Sequence, residues 1–167
     1  MSTYASVVEM KKMLTNMAGW LDKAVAFAGA KKFEADTMLT WRLAPDQFPL
    51  VKQIQSSCDS AKFAAARASG KEAPSHPDTE TSVAALKQRI ATVVSYLETF
   101  NAKDFEGAHD RMVSLPWWEG KKMAAADYLT EHAQPNFFFH ATTVYALLRH
   151  AGVEVGKGDY LGKMNFR

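Results

Sequence analysis

Apolar residues recur every three or four positions along four long stretches of the chain, the signature of helices that bury one face. In the first, from about Ser2 to Ala30, the stripe is Val7, Met10, Leu14, Met17, Leu21, Ala24, Val25 and Ala28. Met13, Trp20 and Phe27 widen it, so this helix is expected to be covered on more than one side. Gly29 stands where a left-handed residue can close it. The second stretch runs from about Phe48 to Ser69 and stops at Gly70; Asp46, three residues before Pro49, is placed to cap it. The third runs from Asp78 or Thr79 to about Asn101, with Val83, Leu86, Ile90, Val93, Val94 and Leu97 as its apolar face. The fourth begins between Ala125 and Asp127 and ends at Gly152. Pro135 falls inside it and predicts a kink, because the carbonyl one turn back loses its donor.

The connections break that period. "EADTMLTWRLAPDQFPL" predicts a short helix and then a turn, since Pro45 and Pro49 cannot lie inside a helix. "GKEAPSHPDTE" reads as a linker. "RMVSL" and "KKMAA" flank "PWWEG", which predicts a short hairpin or an extended loop before the last long helix. The tail "VEVGKGDYLGKMNFR" is expected to be irregular and packed on the surface. Four long helices with one crossover connection make an all-α four-helix bundle, and 167 residues suit a single domain over residues 1–167.

Composition narrows the function classes. The chain has 20 basic and 18 acidic residues and a net charge of +2. That balance, with Lys and Arg scattered singly or in pairs, argues against nucleic acid and against an anionic membrane. No run approaches the 18 or so apolar residues a membrane span needs. Cys58 is the one cysteine, which excludes an internal disulfide and a zinc-finger framework. The opening "MSTYASVVEMKKML" has an early acid and no apolar run, so it does not read as a signal peptide. A cytoplasmic protein is the expectation.

The candidate chemistry lies on two helices. On the fourth, His132, Asn136 and His140 are four apart and share a face. On the second, Gln55 and Asp59 share a face, with Lys62 beyond them and Gln53 on a neighbouring face. Arg42 and Asp46 precede this helix, within reach of its start. Polar groups turned into a bundle must be hydrogen-bonded or cost roughly 1–3 kcal/mol each. They therefore either close a network or leave donors and acceptors for a ligand. Each has a plainer reading: a core histidine with one nitrogen satisfied, an asparagine serving the carbonyl freed by Pro135, an exposed Asp59–Lys62 pair, a loop ion pair and a helix cap. Cys58 reads as a small buried apolar side chain. His76, His109 and His150 read as solvated. Trp117 and Trp118 read as a flap over the bundle end or as a contact for a second subunit.

The stretches "RLAPDQFPLVKQIQSSCDSAKFAAARASG", "DTETS", "PNFFFHATTVYALLRHAGVEVGK" and "DYLG" together resemble a bacterial and fungal family known only as a domain of unknown function, within the DinB/YfiT-like superfamily. The resemblance covers nearly the whole chain. It implies a four-helix bundle, often a homodimer. The superfamily typically holds a divalent metal on three histidines, and some members are thiol-dependent transferases or hydrolases. Aligned on "ALLRHAG", the last metal position falls on His140 and the one before it on Asn136; aligned on "CDSA", the first falls near Gln55. Two of three ligands are then neutral amides, which are weak donors to zinc or nickel. His132, two turns from His140, is too far along the axis to join it on one ion.

The expectation is therefore a degenerate metal site with no metal and no cofactor. It leaves a polar pocket for a small molecule between the second and last long helices, lined by Arg42, Asp46, Gln55, Asp59, Asn136 and His140. Arg42 would supply charge for a carboxylate or phosphate. Two alternatives stand beside it: a transferase or hydrolase with His140 as base or ligand and Asp59 orienting it, and a dimeric interaction scaffold.

Overall fold

The computed structural model describes residues 3–166. The long helices are α1 (Thr3–Lys31), α2 (Leu50–Ser69), α3 (Val83–Glu98) and α5 (Gln134–His150). Helix α5 is entered through a short α4 (Ala125–Asp127) and a π-helical turn, Tyr128–Ala133. Helices α1 and α2 each pack against both α3 and α5, so the four close into a bundle with α1 and α2 across one diagonal. Strands β1 (Met112–Val113) and β2 (Met123–Ala124) pair antiparallel, with Met112 opposite Ala124, and form the expected hairpin before the last helix.

The core follows the apolar stripes. Met10, Leu14, Met17 and Leu21 of α1 meet Leu86, Ile90 and Val93 of α3 and Phe137, Val144 and Leu148 of α5, all buried. Each such side chain contributes about 1.5–3 kcal/mol by leaving water. Helix α2 presents Ala61, Ala64, Ala65 and Ala68 inward, and these small side chains let neighbouring helices approach closely enough for its larger polar residues to be enclosed.

The helix ends differ from the sequence expectation in instructive places. Gly29 stays helical, and Lys32, with φ 61°, makes the left-handed turn after α1. Helix α2 starts at Leu50 behind Pro49, with no side-chain cap; Asp46 is exposed and caps nothing. Gly70, at φ 77°, ends α2 as expected. Helix α3 starts later than Asp78 or Thr79: Ser82 is its cap and accepts from the Ala85 amide at 3.1 Å. Asp78 and Glu80 stay outside because they bind Arg89 of α3 instead. The tail is partly ordered into α6 (Lys157–Leu161), held to α1 where the Trp20 indole donates to the Asp159 carbonyl at 3.0 Å.

At Pro135 the hydrogen-bond register of the helix changes. The proline stands in the first turn of α5, directly after the π turn. A π turn bonds five residues back instead of four, which shifts the hydrogen-bond register just where proline withholds a donor. Among the described residues no helix is long and apolar enough to cross a membrane.

Candidate functional site

Helix α2 carries polar side chains on two faces, and the two are built differently. The first faces α3 and the extended segment 71–82. Arg89, 4% exposed, is its centre. Its guanidinium donates to Glu80 and to the Pro77 carbonyl, both at 3.1 Å, and pairs with Asp78 and Asp59 at 3.0 Å. Lys62, only 1% exposed, pairs with the partly exposed Asp59 at 2.7 Å, so the cation of the expected surface pair is instead buried. Lys52 pairs with Asp78, and Gln55 donates to Glu80 at 2.9 Å. Three cations meet three carboxylates. Burial alone would raise the Glu80 carboxyl, but the hydrogen bonds from Gln55 and Arg89 hold it below the ordinary range. His76, read as solvated, rests against this cluster with Nδ1 buried and without a hydrogen-bond partner. Burial, then Lys62 and Arg89, hold its pKa down.

The second face of α2 meets α5. Gln53 bonds His140, Ser60 bonds Asn136, and Arg67 bonds Tyr128. The numbers rise on one helix as they fall on the other, so the two run antiparallel. Between them and Pro116–Trp117 of the hairpin lies a cleft of about 590 Å3, within the size range of small-molecule sites. Ser56, Ser60, Phe63 and Arg67 supply one wall; Tyr128, His132, Asn136 and His140 supply the other. In an α-helix residues four apart drift around the axis by about 40° per step. The wider π turn runs the drift backwards, and so keeps Tyr128 and His132 on the face of Asn136 and His140.

His140 is fixed from one side. Its Nδ1 is 2.7 Å from Gln53 Oε1. The amide of Gln53 is itself oriented, because its Nε2 donates to the Phe48 carbonyl at 3.2 Å. Oε1 must then accept, and Nδ1 of His140 must carry the proton. Burial and, next, Lys52 lower the pKa of His140, which favours the neutral ring. In that neutral form Nε2 is an unprotonated acceptor, and the ring's one hydrogen bond among the described residues is the one at Nδ1. Phe48 stacks on the ring, 12° from parallel, and Phe139 meets it edge-on. At the other end Arg67 donates to the Tyr128 hydroxyl at 2.9 Å and lies over the Phe63 ring, with no carboxylate partner among the described residues. His132 stacks on Tyr128 and meets Trp118 edge-on, its Nδ1 buried and unpartnered.

Of the six residues expected in the pocket, Asp59, Asn136 and His140 line the cleft. Gln55 faces Glu80 in the closed network, and it is Gln53 that meets His140. Asp59 does not touch His140; it is held by Lys62 and Arg89. Arg42 and Asp46 belong to the loop before α2, where Arg42 donates to the Pro45 carbonyl at 3.3 Å. Neither lines the cleft. Gln53, placed by the sequence only on a neighbouring face, and Ser60, Arg67 and Tyr128 lie outside the expected set, although Ser56, Ser60, Phe63 and Arg67 carry a visible four-three-four spacing on one helix face. Trp117, 65% exposed, overhangs the cleft while Trp118 packs inward on Tyr128. Cys58 is fully buried and its thiol is pushed up to about 12, chiefly by burial, so it is no nucleophile.

The metal implied by the superfamily does not fit these residues. Among the described residues no three His, Cys, Asp or Glu side chains come together as ligands. Around His140 the neighbours are carboxamides already engaged: Gln53 accepts from Nδ1, and Asn136 donates to Ser60 at 2.8 Å. One imidazole and weak amide oxygens are a poor set for a borderline-soft cation.

A family profile described as "Domain of unknown function (DUF1993)" matches residues 3–161. The chain is also similar to a DinB family member protein from Shewanella denitrificans, known from a crystal structure at 1.83 Å resolution. The two are 49% identical with a TM-score of 0.95, and the match covers 98% of this chain and 94% of that one. No curated protein matches. Sequence profile, helix arrangement and structural likeness agree: the chain belongs to the DUF1993 family and has the all-α fold of a DinB family member.

Proposed function

We propose that this protein binds a small acidic molecule in the cleft between α2 and α5. The observation that carries the reading is Arg67, a cation on the cleft wall with no carboxylate partner among the described residues and with its guanidinium already aligned by Phe63 and Tyr128. The other charged side chain of the cleft, Asp59, is neutralised from behind by Lys62 and Arg89. An incoming carboxylate or phosphate therefore meets one cation whose planar fork is suited to it. The charge assigned from sequence to Arg42 passes to Arg67.

The test is calorimetric titration and thermal shift with a panel of small carboxylates and phosphate monoesters. It compares the unaltered protein with Arg67→Gln, and uses Arg42→Gln as a control. A charge-assisted hydrogen bond contributes about 1.5–3 kcal/mol, so Arg67→Gln should weaken binding roughly ten- to hundredfold. A bound acid raises the unfolding midpoint by mass action. Arg42→Gln should leave the affinity unchanged. If no acid binds, or if those that bind are indifferent to Arg67, the reading fails.

A further inference from the structure

The acidic-ligand reading fixes one end of the cleft; the other end is specified by His140, and the inference drawn from it rests on that reading. We infer that the ligand is two-ended: an acid group at Arg67 and, roughly 10 Å away, a hydroxyl or N–H that donates to Nε2 of His140.

The chain of reasoning begins at a backbone carbonyl. The Phe48 carbonyl accepts from the Gln53 amide nitrogen, which turns the Gln53 oxygen toward His140. That oxygen accepts the Nδ1 proton. A neutral imidazole with its proton on Nδ1 has only a lone pair on Nε2. The ring nitrogen that Gln53 leaves free is thus an acceptor on a residue that lines the cleft, and a second acceptor placed against it would meet it lone pair to lone pair. The ring is also held in place by Phe48, stacked on it, and Phe139, edge-on to it, while the cleft itself offers the ligand's body the aromatic faces of Phe63, Trp117 and Tyr128. His140 is 9% exposed as a residue and lines the cleft, so a ligand seated there takes the water away from this acceptor, and one that offers it no donor leaves it unsatisfied.

The spacing follows from helix geometry. Arg67 folds back over Phe63, and Ser56 marks the His140 end of the α2 wall. Seven residues separate Phe63 from Ser56, a rise of about 10 Å at 1.5 Å per residue. An extended phenol acid of the hydroxyphenylpropionate kind has this layout, with an acid at one end, a flat apolar body and a donor at the other.

The experiment uses three acids of one shape: 3-(4-hydroxyphenyl)propionate, its 4-methoxy ether and 3-phenylpropionate, titrated into the unaltered protein, Arg67→Gln and Gln53→Leu. The phenol should bind about tenfold more tightly than either analogue. Arg67→Gln should weaken all three alike. Gln53→Leu frees the ring to place its proton on either nitrogen and should shrink the preference for the phenol. A long-range proton–nitrogen correlation spectrum of the unligated protein reads the tautomer directly, with the His140 signals assigned by their loss in His140→Gln. It keeps the inference testable if Gln53→Leu does not fold. A proton on Nε2 in that spectrum overturns the inference. So does Arg67-dependent binding of acids that takes phenol and ether equally, an outcome that leaves the acidic-ligand reading standing. If no acid binds at all, that reading fails and the ligand class falls with it.

Discussion

The two polar faces of α2 make opposite use of similar residues. Toward α3, Lys62 and Arg89 are as buried as the core, and every carboxylate they face is within ion-pair distance. Toward α5, Arg67 has an aromatic bed and a phenol but no anion, and His140 has one nitrogen engaged and one open. The first face is closed and neutral, so it holds segment 71–82 against the bundle. The second is open, with groups oriented by their neighbours and left without full partners. Polar residues within a bundle are thus not one class: a charge whose partners lie inside the chain serves the fold, and one whose partners are missing is available to a ligand.

The sharpest way to break the closed face is Arg89→Ala. It strands Asp59, Asp78 and Glu80 around a vacated site, and removing one partner of a buried ionic network costs about 3–5 kcal/mol. Urea unfolding should show this loss, with acid affinity changed only as far as folding is. Next comes Gln53→Ala, which leaves the Nδ1 proton of His140 without its acceptor in a buried setting. The expected cost is about 1–3 kcal/mol, read by the same denaturation.

Lowering pH should weaken the fold in two stages. His76, His132 and His140 have folded pKa values below the ordinary 6.5. The unfolded chain therefore takes up protons first, and stability is fully present above about 6.5 and falls as the pH drops below it. Asp78 and Glu80, held below their ordinary values of 3.8 and 4.5, add a second loss as pH falls through and below that range. Unfolding midpoints from pH 8 to pH 3 would show both stages; a midpoint flat from pH 7.5 to 5.5 contradicts the histidine part. The smallest effects belong to the open face. Trp117→Ala removes an exposed overhang and should change stability by no more than about 0.5 kcal/mol. Arg67→Gln should destabilise by under about 1 kcal/mol, since it breaks one half-exposed hydrogen bond, while acting on acid binding as described above.

Much of the fold was legible because it depends on local periodicity. The apolar stripes of α1, α2 and α3, the stop at Gly70 and the PWWEG hairpin each follow from residues close together in the chain. The helix start that differs depends on side-chain pairing that no local pattern shows: Asp78 looks like a helix starter but, with Glu80, is drawn to Arg89 two turns into α3. The site was half legible for the same reason. His140 and Asn136 stand out as polar residues in an aromatic run, and Asp59 stands out on its helix. Gln53 and Gln55 are two residues apart and chemically identical, so only the rotation of α2 against its neighbours separates a partner of Glu80 from a partner of His140.

The sequence by itself determined an all-α bundle, no internal disulfide and a polar set that departs from three histidines, since these rest on residue type and on spacing along single helices. The tertiary structure alone decided which charges are cancelled. Arg67 and Arg89 are equally charged in the sequence; Arg89 is met by Asp59, Asp78 and Glu80, and Arg67 by aromatic faces and a hydroxyl. Coulomb attraction and desolvation depend on distances of a few ångströms between residues far apart in the chain, and helix packing sets those distances.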